Sequence, residues 1–285
     1  MKLDTYDAIV RKLHTLNLRS CLDEVRCCFP DVDVVTLRSI ISSEAQRNIK
    51  KTYHVLVSPP VADEHYKYFK MCADACEPPG YLLRYADEQG VSPALMARLI
   101  IEKRYETEAE RPSKQAISQM LRNSASIQDG ALAAEVFLCV VNDNTYGPLG
   151  DAMKSAIGLE YEVHLKTQLE TMGLAFVDED VLRERGFDKT PDVKLELPII
   201  VDGTVVTWVE SKAQFGDPDC HRIYSRDQYQ SYWNRFGRGL VIYWFGFVDE
   251  IVGSRDEGFI VRDHMPKDVA RMEDLFRVSQ ADTQL

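Results

Sequence analysis

The stretch 190–213, TPDVKLELPIIVDGTVVTWVESKA, reads as two apolar strands folded back at an Asp-Gly turn, with Asp192, Glu210 and Lys212 at the ends away from that turn. A charge beside a packed sheet has to be paired, bound to a metal or neutralised. Along 204–212 successive side chains alternate, so Val206, Trp208, Glu210 and Lys212 share one face while Val205, Thr207, Val209 and Ser211 share the other. The first face turns from apolar to charged at its end. A site at the mouth of a sheet is written this way, and so is a strand emerging into solvent or an edge strand protected by charge.

The hairpin register decides whether the charges can meet. A two-residue turn at Asp202-Gly203 pairs Val201 with Thr204 and puts Asp192 on the face of Ser211 and Ala213, away from Glu210 and Lys212. A three-residue loop with Gly203 left-handed in a G1 bulge pairs Ile200 with Thr204 instead, which sets Asp192 opposite Lys212 and diagonal to Glu210. A bulge at Pro198, which has no N–H for the ladder, makes the same one-residue correction. A joint site therefore requires an irregular hairpin, and the sequence offers two places for it. Two carboxylates meeting beside a lysine suit a hard divalent cation such as Mg²⁺, which takes oxygen ligands and keeps several waters. Such a cation lowers the pKa of bound water and neutralises charge growing on a phosphate, while the ammonium orients the nucleophile or stabilises the transition state.

The whole chain sets the frame. Its 285 residues, 45% hydrophobic and 9% aromatic, suffice for one large domain or two ordinary ones. No apolar run of 18 uncharged residues and no leader pattern occurs, which leads us to expect neither membrane insertion nor secretion. Seven cysteines, an odd number without framework spacing, fit a reducing compartment. Cys72 and Cys76 near His65 lack a second ligand pair and read as core residues rather than a zinc site. A net charge of −11 argues against a general nucleic-acid coat and leaves room only for a local basic groove.

Apolar residues at helical spacing (Tyr6, Ile9, Val10, Leu13; Val34, Leu37, Ile40, Ile41; Leu95, Met96, Leu99, Ile100) predict an all-helical region over 1–141. Within it 81–105 resembles a helix-turn-helix, with Ser92 as N-cap and Pro93 as first helical residue. A helical hairpin that merely packs is the commoner use of that pattern. NDNTYGPLG at 142–150 is the expected linker, followed by an α/β domain over 151–268 and a short, fraying helical tail over 269–285. The α/β part opens with a helix over 157–173 whose stripe of Tyr161, Leu165, Leu169 and Met172 leaves Glu162 at its margin as the inward-facing acid, with Glu160 on the wetter side. A second helix is expected over 221–237, with Gln228 and Tyr232 on one face and Tyr229, Trp233 and Phe236 packing on the sheet. GLVIYWFGF at 239–247 reads as an apolar strand covered on both faces.

Pro191-Asp192 followed by Glu210-Ser211-Lys212 resembles the PD-(D/E)xK signature of restriction-endonuclease-like nucleases, and the run from Gly158 to Glu162 is similar to the G-x-x-x-E helix of archaeal Holliday-junction resolvases. Thr190-Pro191-Asp192, WVESKA at 208–213, YGPL at 146–149 and SYWNRFGRGLVIYWFGF at 231–247 more closely resemble the codanin-interacting nuclease family, a likeness that extends over nearly the whole chain. The resemblance implies a restriction-endonuclease-like core, a mixed sheet flanked by helices, behind an all-helical N-terminal region. It implies Mg²⁺- or Mn²⁺-dependent hydrolysis of DNA or RNA, with Asp192 and Glu210 as metal ligands, Lys212 as the catalytic lysine, Glu162 as the helix-borne acid and the Ser211 carbonyl completing the metal shell. Gln228 is a weaker candidate, by analogy with the polar residue that related nucleases carry on the equivalent helix. A codanin-like scaffold partner, a nuclear and cytoplasmic location and links to chromatin assembly and red-cell maturation are also implied. The rival reading is a non-catalytic scaffold-binding protein on a nuclease-like fold.

Overall fold

The computed structural model describes residues 1–106, 112–252 and 258–271. The chain runs α1 (Leu3–Leu13), α2 (Leu22–Cys28), α3 (Val34–Leu56), α4 (Pro59–Asp74), α5 (Tyr81–Glu88), α6 (Pro93–Arg104), α7 (Lys114–Arg122), α8 (Gly130–Val141), α9 (Gly147–Thr171), β1 (Phe176–Asp178), α10 (Glu179–Glu184), β2 (Val193–Val201), β3 (Thr204–Lys212), α11 (Pro218–Tyr224), α12 (Gln230–Phe236), β4 (Gly239–Tyr243), β5 (Phe259–Arg262) and β6 (Ala270–Arg271). It forms two compact units: a helical one made of Val10–Val32 and Ile40–Ser155, and a sheet unit made of Met1–Ile9, Asp33–Ser39 and the chain from Ala156 onward. The sheet unit thus takes in two N-terminal segments that periodicity assigned to the helical region. Tyr6 stacks on Phe215 with centroids 5.8 Å apart, the Ser39 hydroxyl accepts the Phe215 N–H at 2.8 Å, and the Thr36 hydroxyl donates to the Phe245 carbonyl at 2.7 Å. The expected linker runs into α9, which already begins at Gly147. Most of the expected tail, 272–285, lies outside the described residues.

In the helical unit α6 is the central element. Pro93, Ala94, Leu95, Met96, Ala97, Leu99, Ile100 and Ile101 are all buried, packed with Phe69, Leu82, Leu132 and Val136 from the surrounding helices. The N-cap is as read from sequence, with the Ser92 hydroxyl accepting the Leu95 N–H at 3.2 Å. The helical hairpin 81–105 thus packs as core, with Arg98, Glu102, Lys103 and Arg104 left on the partly exposed side of α6. Two buried carboxylates tie the unit together. Glu135 accepts the N–H groups of Gly80 and Leu82 at 2.6 and 2.8 Å, capping α5 from α8. Asp143 accepts from the N–H groups of Ala94, Thr145 and Tyr146 and from the hydroxyls of Ser92 and Thr145. Each charge stays buried because backbone donors at helix starts surround it.

The sheet unit is α/β, with strand order β1-β2-β3-β4-β5 and β6 pairing β2 beyond β1. The β1–β2 and β2–β3 ladders are antiparallel, whereas β3–β4 and β4–β5 are parallel, so the sheet is mixed and the crossover from β3 to β4 is carried by α11 and α12. Leu165 and Leu169 of α9 pack on Val193, Val209, Leu240 and Ile242 on one face. Aromatic rings fill the other face: Trp208 lies 5.3 Å from Tyr232 and 6.4 Å from Tyr229, and Tyr229 5.1 Å from Phe259. This is the mixed sheet between helix layers that a restriction-endonuclease-like core requires. Trp233, 39% exposed, lays its ring against Gly258 just before β5, Phe236 packs on Phe187, and Tyr229 and Tyr232 are the rings buried on the sheet.

The indole of Trp208 lies against the backbone of its ladder partner Gly239, where an added Cβ would come within 2.1 Å of the ring, and its Nε1 donates to the Gly237 carbonyl at 2.8 Å. Gly239→Ala is expected to cost about 1–3 kcal/mol through overpacking, read as a lowered urea midpoint with an unchanged slope. An unaltered midpoint would contradict the packing. His221, buried against Tyr229, Tyr243 and Phe259 with Nδ1 3.1 Å from the Tyr243 hydroxyl, has its pKa pushed down to about 4 by burial, which Asp217 only partly offsets. Above pH 6.5 the ring is neutral in both folded and unfolded chains. Between pH 6.5 and about 4 only the unfolded chain takes the proton, so this ring costs stability as pH falls, on the order of 3 kcal/mol in full. Denaturation at pH 7 and pH 5 should show that slope, and His221→Gln should flatten it; equal slopes would refute the assignment.

Candidate active site

The turn at 202–203 is the two-residue form, with positive φ of 49° at Asp202 and 75° at Gly203, and it pairs Val201 with Thr204. Continued without interruption, that register would turn Asp192 away from Glu210. The interruption comes in β2: pairing runs regularly to Ile199–Val206 and resumes at Lys194–Trp208, so the stretch 195–198 of β2 spans a single residue of β3, Thr207. Pro198, without an N–H, lies in that irregular stretch, and Leu197 is turned out to solvent. The shift is three residues, not the one expected from sequence. An odd shift exchanges the faces in either case. Carried one residue past Val193–Val209, the new register sets Asp192 opposite Glu210, where Lys212 had been expected.

Side-chain contacts follow this register. The Ser211 N–H donates to Asp192 Oδ2 at 2.7 Å, and the Asp192 N–H donates to Glu210 Oε2 at 3.3 Å. Lys212 Nζ donates to Glu210 Oε1 at 2.6 Å and to Gln228 Oε1 at 3.1 Å, and it lies 4.8 Å from the centroid of the Tyr224 ring. Glu210 is buried and Asp192 partly buried. Burial first, and the neighbouring Glu210 charge second, hold the Asp192 carboxyl well above the usual carboxylate range. Burial works to lower the Lys212 pKa, but Glu210 and Asp192 outweigh it and the ammonium is held above its ordinary value. The site therefore sets two carboxyl groups side by side with a lysine whose ammonium form is favoured.

Glu162, on α9, is half-buried, and its pKa is raised by burial and by Glu179, with Glu210 and Lys212 also felt. It stands back from the carboxylate pair: among the described residues no three His, Cys, Asp or Glu side chains gather closely enough to hold an ion by themselves. Gln228 reaches Lys212 from a π-turn, Ser225–Tyr229, that joins α11 to α12. The wider turn shifts the helical phase, with Gln228 turned to the lysine while Tyr229 stays buried on the sheet. Sequence reading missed Tyr224, four residues before Gln228 and so on the same side of a helix. It also missed the indole of Trp244, whose Nε1 donates to the Ser211 hydroxyl at 2.8 Å.

The donor chemistry suits a hard divalent cation. Mg²⁺ is commonly held by one or two carboxylates with water and substrate oxygens filling its remaining positions, and a cation between Asp192 and Glu210 would relieve the repulsion that now raises Asp192.

Residues 128–265 match a family model described as a protein of unknown function with a TPD sequence motif. The chain is 44% identical over 265 residues to a protein from Xenopus laevis named CDAN1-interacting nuclease 1, covering 92% of this chain and 87% of the relative. Proteins of the same name from Homo sapiens and Gallus gallus are 42% and 40% identical over 94% of the chain, covering 96% and 95% of their own lengths. No solved structure matches the chain.

Proposed function

Because this chain belongs to the CDAN1-interacting nuclease 1 family, we propose that it hydrolyses phosphodiester bonds in DNA or RNA with Mg²⁺ or Mn²⁺ bound, in association with a codanin-like scaffold. The observation that carries the reading is the contact of Asp192 and Glu210 at the sheet mouth with Lys212 attached. Asp192 and Glu210, with the Ser211 carbonyl, would hold the ion. When bound, it would supply a water of lowered pKa and neutralise charge on the phosphate.

The chain's own residues prepare the rest. Lys212 is held between Glu210, the Gln228 amide oxygen and the Tyr224 ring, so its ammonium is fixed and charged before substrate arrives. It orients the attacking water or stabilises the oxyanion as phosphate charge grows. Glu162, at the margin of the site and within the electrostatic reach of Glu210 and Lys212, would serve as the helix-borne acid. The relatives' names also support a scaffold partner for this chain.

Purified protein with Mg²⁺ or Mn²⁺ should cut at least one member of a panel of branched, flapped, single-stranded and duplex substrates. Glu210→Gln and Lys212→Met should each lower the rate about 100-fold or more while leaving the circular dichroism spectrum intact. Cutting unchanged by both substitutions would remove the mechanism. No cutting of any substrate, with scaffold binding retained, would favour the non-catalytic reading.

A further inference from the structure

Strand β4 stops at Tyr243, but the aromatic run does not. Trp244 and Phe245 follow it into a turn closed by Gly246, whose φ is 82°, and both remain half-exposed. The Trp244 N–H donates to the Lys212 carbonyl at 3.1 Å, which fixes the turn to the end of β3. From α9, Tyr161 brings its ring centroid to 5.4 Å from Trp244 and 5.2 Å from Phe245, and the exposed His164 brings its own to 5.2 Å from Trp244. Four rings thus gather, partly open to water, at the end of the sheet that carries the carboxylates, on the face of Ser211 rather than that of Glu210 and Lys212. The link to those carboxylates is short: Trp244 Nε1 to the Ser211 hydroxyl at 2.8 Å, then the Ser211 N–H to Asp192 Oδ2 at 2.7 Å. Tyr161 is also the immediate neighbour of Glu162 on α9.

Aromatic rings carry large apolar areas, and leaving four of them half-wet beside a charged site forgoes stabilisation unless something covers them. We propose that Trp244, Tyr161 and His164 form a stacking platform for an unpaired base next to the phosphate held at Asp192 and Glu210. The inference rests on the nuclease reading above and names its substrate class: a strand that is single-stranded, or frayed, beside the cut. A paired base has both faces covered by its neighbours, whereas an unpaired one offers a face to aromatic rings. The charge of the chain points the same way. At −11 it cannot rely on a broad basic coat for affinity, and stacking supplies sequence-tolerant binding that needs few cations.

The test is an abasic scan. The affinity of the unaltered full-length chain for a labelled single-stranded DNA is measured by fluorescence anisotropy in EDTA and again in calcium, with one base removed at each position in turn. Removal at one or two adjacent positions should weaken binding about 5- to 100-fold, and at other positions little. Trp244→Leu should show the same loss with intact DNA and no further loss with the critical base removed, Trp244→Phe should recover most of it, and His164→Ala should lose part. A flat scan overturns the platform, as do losses that multiply when the variant and the abasic site are combined, and so does an absence of binding. Cutting of the intact strand in Mg²⁺ is recorded in parallel. A flat scan with cutting removes the platform and keeps the nuclease; a peaked scan without cutting does the reverse.

Discussion

The arrangement of the site depends on one irregularity, the four residues of β2 that face a single residue of β3. Strand geometry allows a side chain only two directions, so the side on which Asp192 stands is fixed by the parity of the register and by little else. The type of turn at Asp202-Gly203 sets one parity and the irregular stretch at 195–198 sets the other. The cost is a broken ladder and an exposed Leu197, tolerated because β2 already exchanges partners there, from β1 on one side of the break to β6 on the other. What is gained is the placement of a second acid beside Glu210.

Two of the other buried acids, both in the helical unit, make the contrast. Glu135 and Asp143 are ringed by backbone N–H and hydroxyl donors at helix starts, and their charges are answered within the fold. Asp192 accepts one N–H, from Ser211, and faces another acid. Burial first and the facing Glu210 second push its carboxyl up, where a structural carboxylate of the Asp143 type needs no further partner. An acid pair set face to face beside a lysine contributes little to stability by itself, which is what the proposed role in holding a cation would explain.

Much of this was legible in the sequence. The two strands and the Asp-Gly turn, the α9 stripe with Glu162 at its edge and the capped α6 all follow from local rules of alternation, turn chemistry and capping, and they stand where those rules put them. An irregularity at Pro198, which cannot join a ladder, was one of the two ways a joint site could arise, and it is the one that occurs. Its size was not legible, since the number of residues in a bulge depends on what pairs with the far edge of β2, including β6, far along the chain. The site's aromatic surroundings were hidden for a different reason. GLVIYWFGF looks like one buried strand, and only the chain's turn at Gly246 reveals that Trp244 and Phe245 lie past its end. Likewise the stripe Leu95 to Ile100, which resembled one helix of a helix-turn-helix, is packed as core, the commoner use of that pattern.

The central claim is that Asp192 and Glu210 act as one cation-binding unit because the irregular strand sets them face to face. Titration of Mn²⁺ into the chain by calorimetry, without nucleic acid, tests it most directly. The account predicts a single site whose affinity falls about tenfold or more in Asp192→Asn and in Glu210→Gln, with the double substitution little weaker than either alone. Mn²⁺ binding that survives both substitutions, or losses that simply add, would contradict it.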